Sequence, residues 1–258
     1  MTIKRILLSL VLVGSLVFTA CTSKITPDQT ITTEKNTFSA NAETLEIRGS
    51  FEAILTNEIA PGNVEISANS NLHKYMKVES KGTSIIIYLN KNTSSKPTLT
   101  AKLSAKQFSE FYVNGASSVT ALDSLKNLDY ELNISGASEF EANFKTQEFE
   151  AELSGASKLK GYVKAVNIEL DLSGASFSSI SGSCYKYDVE CNGASTAEDF
   201  NLVCQNADVD LTGASLLSLT VNSSMTGTNS GASKILYKGD LDKILVENSG
   251  ASSIVCKN

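Results

Sequence analysis

The sequence predicts an all-β protein, built as a parallel β-helix or β-roll solenoid of about eight coils. A repeated tripeptide, an apolar period of two around it and the absence of helical periodicity of useful length predict this fold. Gly-Ala-Ser occurs eight times, with steps of 21, 19, 19, 19, 20, 18 and 19 residues between glycines. These glycines are Gly115, Gly136, Gly155, Gly174, Gly193, Gly213, Gly231 and Gly250. Such a period is typical of stacked repeats, in which each unit buries its apolar face against its neighbours.

Side chains alternate between apolar and polar on both sides of each glycine. The second, fourth and sixth positions before it are mostly apolar, as is the fourth position after it, where Ser178 and Ala197 are exceptions. Each repeat therefore predicts one strand that enters the tripeptide and one that leaves it. We expect glycine to turn the corner with a backbone angle that other residues resist. We also expect the alanine to face inward and the serines to form a ladder of hydroxyls along the axis.

Residues 43–110 have β patterning without the regular period. Turn-forming residues such as Pro61-Gly62-Asn63 separate several of its strand-like runs. The predicted strands are Thr44–Arg48, Ala53–Thr56, Val64–Ala68, Lys77–Glu79, Ser84–Leu89 and Thr98–Leu103. This region is predicted to be a less regular N-terminal β module or a cap on the stack, followed by the repetitive module at 111–258.

The first twenty residues are typical of a targeting segment. Lys4 and Arg5 precede an apolar run that is too short for a comfortable membrane span and that ends just before Cys21. This pattern predicts a lipoprotein signal peptide over 1–20, with Cys21 lipidated and anchored in the outer membrane; the alternative is an ordinary secretory signal. Residues 21–42 are rich in Thr, Ser, Asn and Lys, which predicts a flexible tether. Which side of the membrane the protein faces stays open.

The motifs before the first repeat carry a family resemblance. Gly49–Ile54, Val64–Ile66, Met76–Val78 and Ser84–Tyr88 lead into repeats marked by Gly-Ala-Ser, a combination that resembles the head GIN domain family of autotransporter-adhesin-like lipoproteins. The resemblance covers about residues 43–258. It implies a right-handed, two-part β-helix or β-roll and a role in adhesion. It supplies no catalytic residue that matches this sequence.

Acidic residues recur at two polar positions of the repeat. The formal charge of −6 argues against a nucleic-acid partner, which would favour a basic surface. Stacking would place these carboxylates about 4.8 Å apart in columns. Such columns would form either a cation-binding face or a solvated face that prevents sheet-to-sheet aggregation. The carboxylates of this predicted acidic ladder are Glu131, Glu150, Glu152, Glu169, Asp171, Asp188, Glu190, Asp208 and Asp210.

Two smaller sets of residues also recur with the repeat. One position of the repeat is occupied by Lys126, Lys145 and Lys164, which predicts a short basic row. This row is either an ordinary solvated edge or a binding site for acidic glycans. Cys184 and Cys204 are one repeat apart and should lie on neighbouring coils, as a disulfide or as two stacked buried thiols. Tyr112, Tyr162 and Phe177 do not share a repeat position, which weakens a role in stacking on sugars.

These observations favour a non-enzymatic, lipid-anchored cell-envelope protein that binds an extended ligand, either a glycan or a protein surface. No cofactor or metal site is predicted. The alternatives are a polysaccharide lyase or hydrolase on a β-helix, and a purely structural envelope protein. Arginine occurs only at Arg5 and Arg48, which argues against lyase chemistry. The last repeat has no polar capping element, so a homo-oligomer through the C-terminal end is also predicted.

Overall fold

The computed structural model describes residues 24–257, which form an all-β solenoid. The predicted signal peptide and Cys21 lie outside the described residues. Within 24–257, no helix is both long and apolar enough to span a membrane, and the helical structure is a single 3-10 turn, Ser70–Tyr75.

Sixteen strands build the stacked coils. They are β2 (Thr44–Gly49), β3 (Glu52–Thr56), β8 (Glu110–Gly115), β9 (Ser118–Ala121), β10 (Leu125–Lys126), β11 (Asp129–Ile134), β12 (Glu139–Lys145), β13 (Glu148–Leu153), β14 (Lys158–Lys164), β15 (Asn167–Leu172), β16 (Phe177–Cys191), β17 (Thr196–Leu211), β18 (Leu216–Asn229), β19 (Lys234–Lys238), β20 (Lys243–Asn248) and β21 (Ser253–Cys256).

Each coil contributes to two parallel sheets. Sheet A holds the strand segments that run into a corner glycine, and sheet B holds those that follow it. β13 pairs in register with β15 in sheet A, and β12 pairs in register with β14 in sheet B, each offset by one repeat. The long strands β16, β17 and β18 run from sheet B into sheet A around the second corner. The predicted solenoid of stacked parallel coils is confirmed.

The glycine corners stack in a single column. Their φ angles lie between +71° and +106°. The alanine N–H of one coil donates to the glycine carbonyl of the coil before it, at 2.7 to 2.8 Å. Gly49 joins the column, because it pairs in register with Gly115. Gly49 lacks the tripeptide, since Ser50 and Phe51 follow it in place of Ala-Ser, so the repeat does not reveal it in the sequence.

The predicted inward orientation of the corner alanine was wrong. Ala137 and Ala156 are exposed, whereas Ser138 and Ser157 are buried. The two-residue alternation continues through the corner, so the second residue after glycine faces inward. The serines do not form a hydroxyl ladder either. Ser215 Oγ, for example, donates to the Thr212 carbonyl oxygen, and the hydroxyls of Ser138 and Ser157 have no hydrogen-bond partner among residues 24–257.

The N-terminal end is covered by a cap, formed by one strand that precedes the first coil and four strands inserted into it. Sheet B's β3 ends at Thr56, and the chain returns to the stack at Glu110. The cap strands are β1 (Ile31–Thr37), β4 (Asn63–Asn69), β5 (Met76–Lys81), β6 (Ser84–Leu89) and β7 (Leu99–Ser104). β6 and β7 form a parallel rung beneath β2 and β3, while β5, β4 and β1 add antiparallel pairings that cover this rung.

The structure confirms the six strands predicted between residues 44 and 103, two in the coils and four in the cap. It corrects the predicted tether over 21–42 at residues 31–37. Residues 31–37 form β1, which pairs antiparallel with all of β4. Its side chains are almost all exposed and polar, so the sequence lacks the apolar alternation that would have revealed a strand. A polar edge strand of this kind protects a sheet from further pairing.

Apolar side chains fill the space between the two sheets. One continuous cluster of buried residues runs from Ala42 to Ile235. Aromatic rings concentrate near the N-terminal coils, where Phe144 contacts Tyr130, Phe140 and Phe149 at ring-centroid distances of 5.1, 6.0 and 4.8 Å. The interior is therefore a packed core, and functional groups must lie on the outer faces, corners and ends.

Candidate functional site

The outward side of sheet A is acidic, as predicted. In-register pairs place Glu131 beside Glu150, and Glu150 beside Glu169, in one column. The second column pairs Glu152 with Asp171. The remaining pairs are Glu169 with Asp188, Asp188 with Asp208, Asp171 with Glu190, and Glu190 with Asp210. We call this surface the acidic face.

Partial burial and neighbouring carboxylates raise the pKa values of two residues on the acidic face, Asp171 and Glu150. Partial burial, followed by the charges of Glu190, Glu169 and Glu152, raises the pKa of Asp171 to about 6. Partial burial and the charges of neighbouring carboxylates also raise the pKa of Glu150. Among residues 24–257, no group of three or more His, Cys, Asp or Glu side chains could hold a metal ion. Side chains at in-register positions of parallel strands point in the same direction, so these columns form a charged surface without the convergence that chelation needs.

We expect the protein to be more stable at pH 5 than at pH 7.5. The folded-state pKa of Asp171 lies above its ordinary value of 3.8, so the folded state binds the proton more tightly between these values. Stability therefore falls as pH rises through this window, and screening of the partly exposed group limits the effect to on the order of 1 kcal/mol. Thermal melts should show a higher Tm for Asp171→Asn than for the wild type at pH 7.5, and a smaller pH difference. An equal pH difference in both proteins would contradict this.

A basic ridge lies at the second corner, between sheet B and the following segment of sheet A. Lys126 pairs in register with Lys145, and Lys145 with Lys164, which confirms the predicted row. All three side chains are exposed, and none forms an ion pair within residues 24–257. A shallow depression of about 360 Å³ is lined by Asn127, Lys145, Thr146, Gln147 and Lys164.

Exposed apolar side chains run beside the lysines. Backbone N–H groups of Gln147, Val166 and Tyr185 donate in turn to the carbonyls of Leu128, Gln147 and Val166, each at 2.8 to 2.9 Å, so these four residues form one column. Leu128, Val166 and Tyr185 are 62%, 47% and 61% exposed, respectively. We call the two columns together the lysine ridge: Lys126, Lys145, Lys164, Leu128, Gln147, Val166 and Tyr185. Sequence reasoning missed the apolar column, because its members lie at a turn and differ in type.

The three aromatic residues noted in the sequence do not converge. Tyr162 and Phe177 belong to sheet B. Tyr162 pairs with Ser181 and Phe177 pairs with Lys158, so the two aromatic residues occupy different columns of stacked side chains. Tyr112 is on sheet A, and its hydroxyl donates to Glu131 Oε1 at 3.2 Å. The structure therefore brings none of them together as a stacking platform.

A buried carboxylate inside the core escaped the sequence analysis. Asp199 is fully buried and accepts hydrogen bonds from Ser178 Oγ, the Ile180 N–H and Tyr187 Oη at 3.1, 2.8 and 2.7 Å. Burial raises its pKa to about 6, although these donors act in the opposite direction. The small residues Ser178 and Ala197, exceptions in the apolar pattern, pair in register beside this cluster. Because Asp199 has no exposed surface, we assign it a structural role.

The predicted proximity of Cys184 and Cys204 is confirmed. They pair in register on neighbouring coils, with their Sγ atoms 2.8 Å apart, and both are buried free thiols. The contact with Cys184, together with burial, raises the pKa of Cys204. Such protonated, enclosed thiols are poor nucleophiles.

The fold and surfaces together define a class of protein: a capped parallel β-solenoid with a filled core, an acidic face and a basic ridge. Residues 41–240 match the family model described as "Putative auto-transporter adhesin, head GIN domain". The chain therefore belongs to this family, as the sequence resemblance indicated. The adhesin description fits a protein of the cell envelope or cell surface, and it names no catalytic activity.

Solved structures with low sequence identity share the fold. A "putative adhesin" from Parabacteroides merdae is 14% identical, with a TM-score of 0.78 over 91% of this chain and 99% of that one. A "putative lipid binding protein" from Parabacteroides distasonis is 18% identical, with a TM-score of 0.78 over 92% and 100% of the two chains. A "putative adhesin" from the same organism is also 18% identical, with a TM-score of 0.74 over 91% and 100%. Among curated proteins, no match was found.

Proposed function

We propose that this protein is a non-catalytic binding protein of the cell envelope, anchored through lipid on Cys21, which attaches to acidic polysaccharides through the lysine ridge. The observation that carries this proposal is the in-register column of three exposed lysines, none of which forms an ion pair in the described part of the chain. Like charges about 4.8 Å apart repel one another, and an anionic ligand relieves that repulsion.

The composition of the lysine ridge favours an acidic glycan. A uronate or sulfated sugar offers a negative charge, hydroxyl groups and an apolar ring face. The lysines match the charge, and the exposed Tyr185, Leu128 and Val166 offer contacts for ring faces. Gln147 is exposed, and its side-chain amide makes no hydrogen bond within residues 24–257, so this amide is available to a hydroxyl. The repeat of one coil suits a polymer whose charges also repeat.

Two other activities fit the structure less well. Lipid binding, named for one structural relative, needs an apolar cavity, whereas the interior between the two sheets is filled by side chains. Lyase or hydrolase chemistry needs an acid and a base that converge on one bond, whereas the acidic side chains of sheet A form regular outward columns.

We expect residues 21–258 carrying Cys21→Ser to bind a uronate-rich or sulfated polysaccharide and not a neutral glucan. Replacing Lys126, Lys145 and Lys164 by Gln should weaken binding by roughly tenfold or more, and added salt should weaken wild-type binding. The control replaces Lys77, Lys81 and Lys96 of the cap by Gln, which changes the net charge equally. Biolayer interferometry with immobilised polysaccharide measures both.

Each other outcome has a defined meaning. Equal losses in the ridge and control variants would place binding elsewhere on the chain, and binding to no polysaccharide would refute the function. Shortening of the polymer during the assay would favour the lyase or hydrolase alternative. Protease digestion of intact cells tests exposure on the outside, which adhesion requires.

A further inference from the structure

The two ends of the solenoid differ in how their outermost strands are covered. The N-terminal rung is covered by antiparallel cap strands, and its inward residues, such as Ile85 and Ala101, are fully buried. At the other end, β20 pairs with β18 and β21 pairs with β19, and no other strand of residues 24–257 pairs with the second side of either. Half of the backbone groups in each final strand therefore point out of the stack.

The last rung also exposes apolar side chains. Ile244 is 41% exposed and Leu245 is 56% exposed. In earlier coils the residue at the position of Ile244 is buried; Tyr187 is one example. Val246, Ile254 and Val255 are only partly buried. An open edge with exposed apolar residues favours addition of another strand.

The sequence of β20 is self-complementary. It reads Lys-Ile-Leu-Val-Glu from Lys243 to Glu247. An antiparallel pairing of two copies about a two-fold axis at Leu245 places Lys243 of one copy opposite Glu247 of the other, twice. Directly opposed residues of antiparallel strands point to the same side, so Leu245 meets Leu245 and Ile244 meets Val246 of the second copy. The inward positions then continue the core from one copy into the other.

We propose that two copies of this chain associate end to end through their C-terminal rungs. The two-fold axis runs across the solenoid, so it reverses both final strands at once. β20 then pairs with β20 and β21 with β21 of the second copy, an isologous contact. This proposal is independent of the ligand at the lysine ridge, since it uses none of the ridge residues.

Charge reversal tests this pairing directly. We expect residues 21–258 with Cys21→Ser to form a concentration-dependent dimer in analytical ultracentrifugation. Lys243→Glu and Glu247→Lys should each weaken dimerisation at least tenfold, because each places like charges opposite one another twice. The double variant should restore it, and an equimolar mixture of the two single variants should form a heterodimer. Lys77→Glu, with the same charge change on the cap, should leave the dimer intact.

Rescue by the double variant separates pairing from loss of folding, since each variant's own stability cannot explain it. Thermal melts of the single variants check that they are folded. A wild-type chain that stays monomeric at high concentration would overturn the proposal. A dimer that persists in both single variants would also overturn it, because the contact would then lie on another surface.

Discussion

Replacing Gly115 by alanine should lower the free energy of unfolding by about 3–5 kcal/mol. A Cβ atom at this position would lie 2.4 Å from the Gly49 carbonyl oxygen, which is too close. That oxygen accepts the Ala116 N–H at 2.7 Å, so relief of the clash would break the corner hydrogen bond. The φ of +89° adds strain for any residue with a side chain.

Gly49 provides a matched control in the same column. Its φ is +106°, but a Cβ atom there would meet nothing within 4 Å, because the corner column begins at this glycine. Gly49→Ala should therefore cost only the conformational strain, about 1–2 kcal/mol. Urea denaturation of both variants measures the difference. Equal losses would mean that backbone angle alone, without the close approach of coils, determines the need for glycine.

Replacing Asp199 by alanine should destabilise the protein by a similar amount, about 3–5 kcal/mol. The change removes the acceptor of three buried hydrogen bonds and leaves the Ile180 N–H and the hydroxyls of Ser178 and Tyr187 without it. These donors are enclosed in the core, where water does not replace the lost partner.

Two control variants test whether the hydrogen-bonded cluster around Asp199 accounts for this loss of stability. Glu198→Ala changes the preceding carboxylate, which is exposed, and should alter stability by less than about 0.5 kcal/mol. Tyr187→Phe removes one of the three donors and should cost about 1–2 kcal/mol. Guanidinium denaturation at pH 7.5 compares the three. A loss at Asp199 no greater than that at Glu198 would show that the carboxylate does not support the core.

The candidate surfaces could be predicted wherever they follow from the repeat. The acidic face and the three lysines were predictable because coils stack in register, so equal positions along the sequence become neighbours in space. The apolar half of the lysine ridge was not predictable in this way. One position of the repeat is held by side chains of different types, namely Leu128, Gln147, Val166 and Tyr185. They form a continuous surface because they are exposed at the second corner.

The sequence by itself determined the solenoid, its period and the strands of its coils, because glycine corners and two-residue alternation are local properties of the chain. The tertiary structure decided the spatial order of the first coils, where β2 and β3 lie between the β6–β7 rung and β8–β9. It also decided that β1 belongs to the cap and that Asp199 has three donors. These features depend on which distant segments meet, and no local pattern of residues specifies such a pairing.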